Sequence, residues 1–549
     1  MKKYLIALSA LAFATTSCYE KLNIAPPNNI TNEMVQELLG TADETTVVTI
    51  LGAIADALPP HVYGSGYNTR YSNGLDHTWS GQLAMRSLTG NDIAYGYLSQ
   101  PENIYYNCGN LTDPDDLEVL SFWHRAFTMT TQANKMFNVL TPEILEANDL
   151  PILRDYYGRG LILRAFGYLY AMENFGTNSL GMPIYTTYSF DQPEQSRVSA
   201  LETYDSIIRW ATEADEMFEV AGVGFKATDN SQFTRGLTNY VIARACLLAA
   251  DAEGATASNY LNQAIAACDR MIQSGASFMN EDQYVQKADD VPYTEDGKDY
   301  PIYRAESSGF MNFALNPEAL YGFGWQYGGG GSIVSYGNFL TSSCRIDDRL
   351  YDLIDPRDYR RDNFHTEYGG LFYAAGRGSF IDAGTTTEVS TYWTTKFANN
   401  VGLTGKVGAN NVTQQNRADF AFVRLSEAYL MKAEAQAKLG DDGQAQATLN
   451  TLLAARTRAG ETAMTCTDYS GMQGLSTLEM VQLQTRIEMW GEKGLEWFNN
   501  RRWNIPVNRV GSTVHWNTSS SYSVENMTLP IPTEELQGSP NFGPLNPTN

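Results

Sequence analysis

The stretch PILRDYYGRGLILRAFGYLYAMENFG, residues 151–176, decides which fold this sequence can form. Its apolar side chains recur at 0, +4, +7, +8 and +11, which is one face of a helix: Leu161, Ala165, Tyr168, Leu169 and Met172. The pattern predicts a helix from Pro151 to Phe175. Gly176 predicts its end, because a glycine adopts a left-handed cap at little cost.

Further amphipathic segments on both sides predict a series of paired helices. They cover residues 116–139, 201–218, 233–250, 260–272, 420–439, a helix opening at Asp441 or Asp442, 477–490 and 491–503. Helix, tight turn and helix, with alanine at close-packing positions, is typical of tetratricopeptide-like units. The sequence therefore predicts an all-α fold, a tetratricopeptide-like helix-pair (α-α superhelix) scaffold. An irregular all-α domain is the alternative.

The helical pattern stops in the middle of the chain. Gly, Tyr, Asn, Ser and Thr dominate residues 276–419, and Gly328 to Gly331 form a run of four. We interpret this part as a long irregular, Gly/Tyr-rich loop excursion that carries short strands. A loop of this length inside a compact protein is usually functional.

The N-terminus has the layout of a secretory signal. Lys2 and Lys3 precede an apolar stretch from Tyr4 to Ala14, which is too short to span a bilayer of about 20 helical residues. Cys18 follows the small Ser17 and resembles the lipid-acceptor cysteine of bacterial lipoproteins. Several acyl chains would anchor it durably, since each buried methylene contributes about 0.8 kcal/mol. An ordinary cleaved signal, with Cys18 incidental, is the alternative.

These features divide the chain into five parts. They are a signal peptide at 1–17, a tether at 18–31, an N-terminal helical region with aromatic-rich loops at 32–275, the excursion at 276–419, and a C-terminal helical region and tail at 420–549.

Charge and cysteine content exclude some classes of function. The formal net charge is −24, and so acidic a protein repels phosphate backbones, which argues against nucleic-acid binding. Besides Cys18 the chain has five cysteines and no CxxC motif, so a disulfide framework is not expected. Cys246 and Cys268 lie in alanine-rich helical segments and are predicted to be small buried apolar residues.

Four segments, in order along the chain, resemble the SusD/RagB family of outer-membrane nutrient-binding lipoproteins. They are GLILRAFGYLYAMENFG (160–176) with MPI (182–184), FVRLSEAYLMKAEA (422–435) with LN (449–450) and RTRAG (456–460), RIEMWGE (486–492) with WF (497–498) and RRW (501–503), and LPIPTEEL (529–536) with LNP (545–547). Together with the N-terminus they span essentially the whole chain.

The resemblance implies a helical scaffold with a variable loop face. It also implies a lipid-anchored position in the outer membrane, exposed at the cell surface. The implied partner is a TonB-dependent (SusC-like) transporter, over which such a protein sits as a lid.

The motifs themselves consist largely of charged residues on apolar helices. We predict that these residues form ion pairs within the scaffold, since an unpaired buried charge costs several kcal/mol. They are Arg164, Arg424, Glu427, Glu434, Arg486, Glu488 and Glu492.

Catalytic and metal motifs are not recognisable in the sequence. The five histidines form no HExxH, and no GxSxG turn occurs. Asp113, Asp115 and Asp116 could help bind calcium, but a helix cap is the preferred interpretation. We therefore expect no cofactor, no metal and no enzymatic activity. Paired carboxylates of a glycoside hydrolase are defined only by their separation in space, so that class remains open.

Aromatic residues are abundant, with 33 Tyr, 23 Phe and 9 Trp, and many lie in the irregular regions. Flat aromatic side chains stack on sugar rings, while Asn, Asp and Arg hydrogen-bond the hydroxyls. Two stretches fit this description, and their predicted ligand-binding residues are Arg70, Trp79, Asn91, Asp92 and Tyr95, and Trp325, Tyr327 and Tyr336. Packing that anchors the loops is the alternative for each of them.

The leading hypothesis is a surface lipoprotein that captures an extracellular glycan, as an oligo- or polysaccharide, for a partner transporter. Capture of peptides on the same scaffold is the first alternative. A surface glycoside hydrolase and a structural adaptor without a small ligand are the others.

Overall fold

The computed structural model describes residues 31–64, 79–95, 106–109, 111–189, 194–227, 231–295, 297–324, 340–341, 344–367, 391–398, 419–518 and 521–549. Cys18, the predicted signal peptide and the tether up to residue 30 lie outside these residues.

Helices dominate the described chain, with short strands between some of them. The helices are α1 (Asn32–Leu39), α2 (Glu44–Asp56), α3 (Pro60–Tyr63), α4 (Trp79–Leu88), α5 (Leu117–Phe137), α6 (Pro142–Ala147), α7 (Pro151–Phe175), α8 (Ala200–Ala221), α9 (Arg235–Ala249), α10 (Ala257–Ile272), α11 (Glu281–Tyr284), α12 (Asp348–Asp352), α13 (Leu425–Lys438), α14 (Asp442–Ala455), α15 (Thr477–Glu488), α16 (Leu495–Arg502) and α17 (Thr533–Gly538). The strands are β1 (Ile93–Tyr95), β2 (Tyr293–Glu295), β3 (Lys298–Tyr300), β4 (Ala319–Phe323), β5 (Cys344–Ile346), β6 (Phe364–His365), β7 (Trp393–Thr394), β8 (Phe420–Arg424), β9 (Val507–Asn508) and β10 (Ser521–Tyr522).

Helix α7 has the predicted bounds, and both α5 and α8 pack against it. It begins with Pro151, in the first turn, where a proline sacrifices no helical hydrogen bond. Glycines allow its neighbours to come close. A Cβ on Gly158 would lie 2.8 Å from the Phe218 ring, and one on Gly167 would lie 2.8 Å from the backbone oxygen of Ala126. Close packing at the centre of the scaffold therefore depends on these glycines, which have no side chain, as well as on the apolar stripe.

Successive helices pack against one another in chain order. Helix α8 packs on α9, α9 on α10, and α13 on α14. Helix α13 also packs on α10, although residues 273–424 separate them in the sequence. The long irregular segment is thus inserted between two neighbours of one stack. The predicted all-α scaffold with an irregular excursion and short strands is confirmed.

The predicted helix 420–439 is wrong over its first five residues. Phe420 to Arg424 form strand β8, which pairs antiparallel with β4, and helix α13 begins only at Leu425. In the sequence FAFVR, Phe420, Phe422 and Val423 have high strand propensity, which suits a strand once a partner edge is present. That partner, β4, lies about a hundred residues earlier in the chain.

The predicted left-handed cap at Gly176 is also wrong. Its backbone is extended, with φ −72° and ψ 156°. The last carbonyl groups of α7 accept hydrogen bonds from the guanidinium of Arg501, which contacts Glu173 O at 2.6 Å and also Gly176 O. Because a distant arginine satisfies these acceptors, the chain needs no left-handed turn there.

Short strands connect the excursion to the rest of the molecule. Four of them form an antiparallel sheet in the order β1-β5-β7-β6, and β4 pairs with β8. The first sheet therefore joins residues 93–95 to the excursion, and the second joins the excursion to the start of α13.

A buried charge cluster fastens the excursion to the C-terminal helices. Its members are at most 2% exposed: Glu318, Asp358, Arg360, Lys396, Arg424, Arg456, Glu488 and Glu492. Arg424 lies 2.8 Å from Glu318, 2.9 Å from Glu488 and 2.8 Å from Glu492. Acids and bases are equal in number, so the cluster is balanced without help from solvent.

The predicted scaffold ion pairs are confirmed for six of the seven residues. Arg424, Glu488 and Glu492 belong to the buried charge cluster. The other three pairs are Glu427 with Lys493, Glu434 with Arg502, and Arg486 with Asp92.

Arg164 is the exception, because its described partners are neutral. Its guanidinium donates to Asn134 Oδ1 at 2.9 Å and to Thr186 O at 3.1 Å, and it lies 4.1 Å from the centre of the Phe137 ring. Burial lowers its pKa to about 10. Helix α5 and the segment after α7 present amide and carbonyl oxygens to this position, and these satisfy the guanidinium without a carboxylate.

One smaller prediction, on two cysteines, can be compared with the structure. Cys246 and Cys268 are buried in α9 and α10, which confirms them as small apolar core residues. The segment Glu44–Tyr63 has the length and composition of a membrane span, but core helices of soluble proteins satisfy the same criteria. Its helix α2 packs against α7.

Candidate ligand-binding face

The two aromatic-rich stretches predicted from the sequence meet at their described ends. Gly64 separates Tyr63 from residues 65–78, and Gly324 separates Phe323 from residues 325–339 in the same way. Their ring centres are 4.7 Å apart. The segments that contain Arg70 and Trp325 therefore leave the scaffold from one place.

The end of a third segment lies at the same place. Phe420 follows residues 399–418, pairs with Phe323 across the β4–β8 ladder, and stacks on it with ring centres 6.3 Å apart. Next to this pair, a Cβ on Gly322 would lie 2.7 Å from the Phe313 ring, so the position has room only for glycine.

The opposite ends of these stretches are joined by strands β1 and β5. Tyr95, the last described residue before 96–105, pairs with Cys344, which follows residues 342–343. Tyr106 resumes the chain, with its ring 6.2 Å from that of Tyr95. The predicted stretches thus start side by side and finish side by side. We call the region bounded by these attachment points the loop face.

Three predicted ligand residues lie inside the protein, at the base of the loop face. Asp92 is 3% exposed and pairs with Arg486 at 2.5 Å. The side chain of Asn91 accepts a hydrogen bond from the backbone N–H of Asn508 at 2.7 Å. Tyr95 is 2% exposed. Asp92 and Asn91 thus bind other parts of the protein, and the Tyr95 side chain is buried. That any of the three contacts a ligand stays a prediction.

The other predicted residues cannot be compared with the structure. Arg70, Trp325, Tyr327 and Tyr336 lie outside the described residues. Trp79 is the first residue of α4, but its side chain is not described.

A buried carboxylate holds the turn that carries Asn91 and Asp92. Glu496 accepts hydrogen bonds from the backbone N–H of Asn91 at 2.5 Å and of Asp92 at 3.1 Å. Burial, and then the negative charge of Asp92, raise the pKa of Glu496 to about 8 although Arg486 opposes the shift. This arrangement fixes the base of the loop face to helix α16.

Sequence reasoning missed an aromatic residue that the structure places on the loop face. Trp393, in β7, is half-buried and stacks on the His365 ring, with centres 4.2 Å apart and planes 26° apart. Tyr303 and Ala398 pack with it in a small apolar cluster separate from the main core. Trp393 stands between residues 368–390 and 399–418. Its position in the Tyr- and Thr-rich excursion was the available signal.

The groups around Trp393 are an uncharged ring and a backbone carbonyl. Burial lowers the pKa of His365, so its ring is uncharged at neutral pH. The Trp393 indole N–H donates to Glu367 O at 3.3 Å, which fixes the ring plane.

Among the described residues, no group of three or more His, Cys, Asp or Glu side chains could hold a metal ion. Asp116, considered for calcium, caps α5 by accepting from Glu118 N at 2.8 Å, as preferred.

Comparison with known proteins gives a consistent family assignment. The model of the SusD family matches residues 269–543. No curated protein matches the chain significantly.

Solved structures share the fold at low sequence identity. A SusD superfamily protein from Bacteroides thetaiotaomicron has 16% identity and a TM-score of 0.63, covering 94% of this chain and 100% of its own. A SusD-like carbohydrate binding protein from Bacteroides vulgatus has 17% identity and a TM-score of 0.64, covering 90% and 97%. A SusD superfamily protein from Parabacteroides distasonis has 17% identity and a TM-score of 0.62, covering 91% and 98%. At these identities the likeness concerns the fold.

Proposed function

Because the chain belongs to the SusD family, we propose that it captures glycans at the loop face and passes them to a TonB-dependent outer-membrane transporter. It does so as a binding protein and not as an enzyme. The protein itself is held at the outer membrane by acylated Cys18.

Trp393 is the observation that supports this proposal most directly. Its ring is partly exposed, held in plane by the indole hydrogen bond, and backed by an uncharged His365. A rigid aromatic surface binds the C–H face of a sugar at low entropy cost, because little conformational freedom is lost. The predicted Trp79 and Trp325 belong to segments attached to the same face.

A glycan is favoured over a peptide by one comparison. The Bacteroides vulgatus relative with the same fold is itself a carbohydrate binding protein. A peptide ligand would instead need backbone donors and acceptors or charged pockets, whereas Trp393 offers the face of a partly exposed ring.

The N-terminal sequence supports the proposed anchor, and the family supports the proposed partner. Residues 18–31 would form a tether of up to about 50 Å if fully extended, which lets the body reach a neighbouring transporter. Replacing Cys18 with alanine should abolish incorporation of labelled palmitate and release the protein from outer-membrane fractions. Recovery of the unmodified protein in those fractions would contradict the anchor. Co-purification of the anchored protein with a TonB-dependent transporter tests the partner.

Binding is tested with a glycan array followed by calorimetry on the best ligand. Trp393→Ala should weaken binding by about 5–10-fold, the value of one aromatic contact of 1–1.5 kcal/mol. The matched control is Tyr260→Ala, because Tyr260 is a half-buried ring on α10 of the helical scaffold, away from the loop face. Equal affinities for the wild type and the Trp393 variant would refute the proposal that the Trp393 ring binds the sugar.

The same ligand serves to test for catalysis. Incubation of the purified protein with a labelled oligosaccharide should leave the chain length of the sugar unchanged. Appearance of shorter products, at a rate proportional to protein concentration, would show a glycoside hydrolase instead.

A further inference from the structure

We propose that the protein has a second ligand site, a cavity at the helix ends of the scaffold, which binds one neutral sugar unit. The cavity has a volume of about 290 Å³ and is formed by the ends of α7 and α9, the start of α8, helix α16 and the chain after it. None of the described residues that line it comes from the excursion or from residues 65–105. It is therefore separate from the loop face.

The shape and lining of this helix-end cavity suit a small polyhydroxylated molecule. Its buried part includes the rings of Tyr204 and Phe498, and its rim includes the exposed Asn178, Asp251 and Asn504. Small-molecule sites start at about 300 Å³ and combine apolar walls with a few polar groups. A single pyranose fits this size, with its C–H face against a ring and its hydroxyls at the rim.

The carboxylates of the cavity are already neutralised by the protein. Glu173 pairs with Arg244 at 2.7 Å, and Asp251 pairs with Lys438 at 2.5 Å. An anionic ligand would face both carboxylates, and neither would gain a partner from it.

The bases are compensated as well. Arg502 pairs with Glu434. Arg501 donates to the carbonyl groups that end α7, where the helix dipole is negative. A cationic ligand would face both guanidinium groups. With either sign of charge disfavoured, the lining selects an uncharged ligand.

Tyr204 supplies a hydrogen-bonding group that the protein does not use. Burial raises its pKa above the ordinary value, so its hydroxyl stays protonated and can both donate and accept. Within the part of the chain that the structure describes, this hydroxyl has no hydrogen-bond partner. A sugar hydroxyl offers the matching donor and acceptor.

Saturation-transfer NMR and calorimetry with D-glucose, D-galactose, D-mannose and N-acetyl-D-glucosamine test the site, with D-glucuronate and D-glucosamine as charged counterparts. At least one neutral sugar should bind, and its charged counterparts should bind more weakly. Tyr204→Phe should weaken binding by about 3–10-fold, which is the value of one hydrogen bond. Asn178→Trp, a change on the exposed rim, should block the cavity and abolish binding while leaving the urea unfolding midpoint unchanged.

The variant Trp393→Ala separates this site from the loop face. It should leave binding of the small sugar unchanged even where it weakens binding of a longer glycan. The inference is overturned if no neutral sugar binds at millimolar concentration, if a charged sugar binds better, or if Trp393→Ala removes binding that Tyr204→Phe and Asn178→Trp leave intact.

Discussion

Replacing Glu488 with glutamine should remove a large part of the stability of this protein. The carboxylate of Glu488 is fully buried and accepts hydrogen bonds from Arg360 at 3.1 Å, from Arg424 at 2.9 Å, and from Arg456 at 2.9 and 3.0 Å. Glutamine keeps the shape but removes the charge and turns an amide N–H₂ group toward guanidinium donors.

The loss of stability in Glu488→Gln depends on which carboxylate partners the three arginines still have. Removing one partner of a buried ion pair typically costs 3–5 kcal/mol. Arg424 and Arg456 retain Glu318, and Arg360 retains Asp358. We therefore expect the lower end, about 3 kcal/mol of unfolding free energy. Urea unfolding followed by tryptophan fluorescence should show a lower midpoint with an unchanged slope.

Glu219→Gln provides the matched control. Glu219 also pairs with an arginine, Arg235 at 3.0 Å, but its side chain is 66% exposed. Such surface pairs contribute at most about 1 kcal/mol. If Glu488→Gln destabilised the protein no more than this control, the buried charge cluster would not have the stabilising role assigned to it.

Acid should reduce the difference in stability between the wild type and the Glu488→Gln variant. Burial alone would raise the pKa of Glu488, but Arg456, Arg424 and Arg360 lower it well below its ordinary value. A carboxylate with a lowered folded-state pKa contributes its stability fully above the unfolded value of about 4.3 and loses it as the pH falls further. The difference in unfolding midpoint should therefore be constant above about pH 5 and narrow below about pH 4.

Three further predictions concern other parts of the molecule. Gly167→Ala should destabilise the protein by about 1–3 kcal/mol, measured by urea unfolding, because the added methyl would press on the backbone oxygen of Ala126 on α5. The pKa of Glu496 is raised to about 8, so the folded state keeps a proton that the unfolded state loses above about pH 4.3; the unfolding midpoint should fall as the pH rises from about 5 to about 8, level off above that, and fall less in Glu496→Gln. Burial raises the pKa of the Cys246 thiol to about 12 and that of Cys268 further, so iodoacetamide at pH 8 should label neither until the protein unfolds, as mass spectrometry would show.

Local sequence patterns were enough to predict the helical scaffold. The stripe in residues 151–175 contains its own periodicity, and the structure has a helix with the predicted bounds. The ion pairs of the charged motif residues could be predicted for a similar reason. A charged residue on an apolar helix needs a partner, even when the sequence does not show where that partner lies.

Features that depend on distant parts of the chain could not be predicted. The segment 420–424 becomes a strand because β4 offers it an edge, and Gly176 stays extended because Arg501 binds the end of α7. The two aromatic-rich stretches were predicted from their composition, which does not show which residues contact one another in the fold. Trp393 escaped notice because only folding brings its ring against that of His365.

The charges that fasten the excursion have a consequence for how such proteins can diversify. Residues 276–419 contribute Glu318, Asp358, Arg360 and Lys396, two acids and two bases, while the C-terminal region, residues 420–549, contributes two of each as well. Each side of the junction is neutral by itself. A recombinant chimaera could therefore receive a different segment in place of residues 276–419 without leaving a net charge in the interior of the recipient.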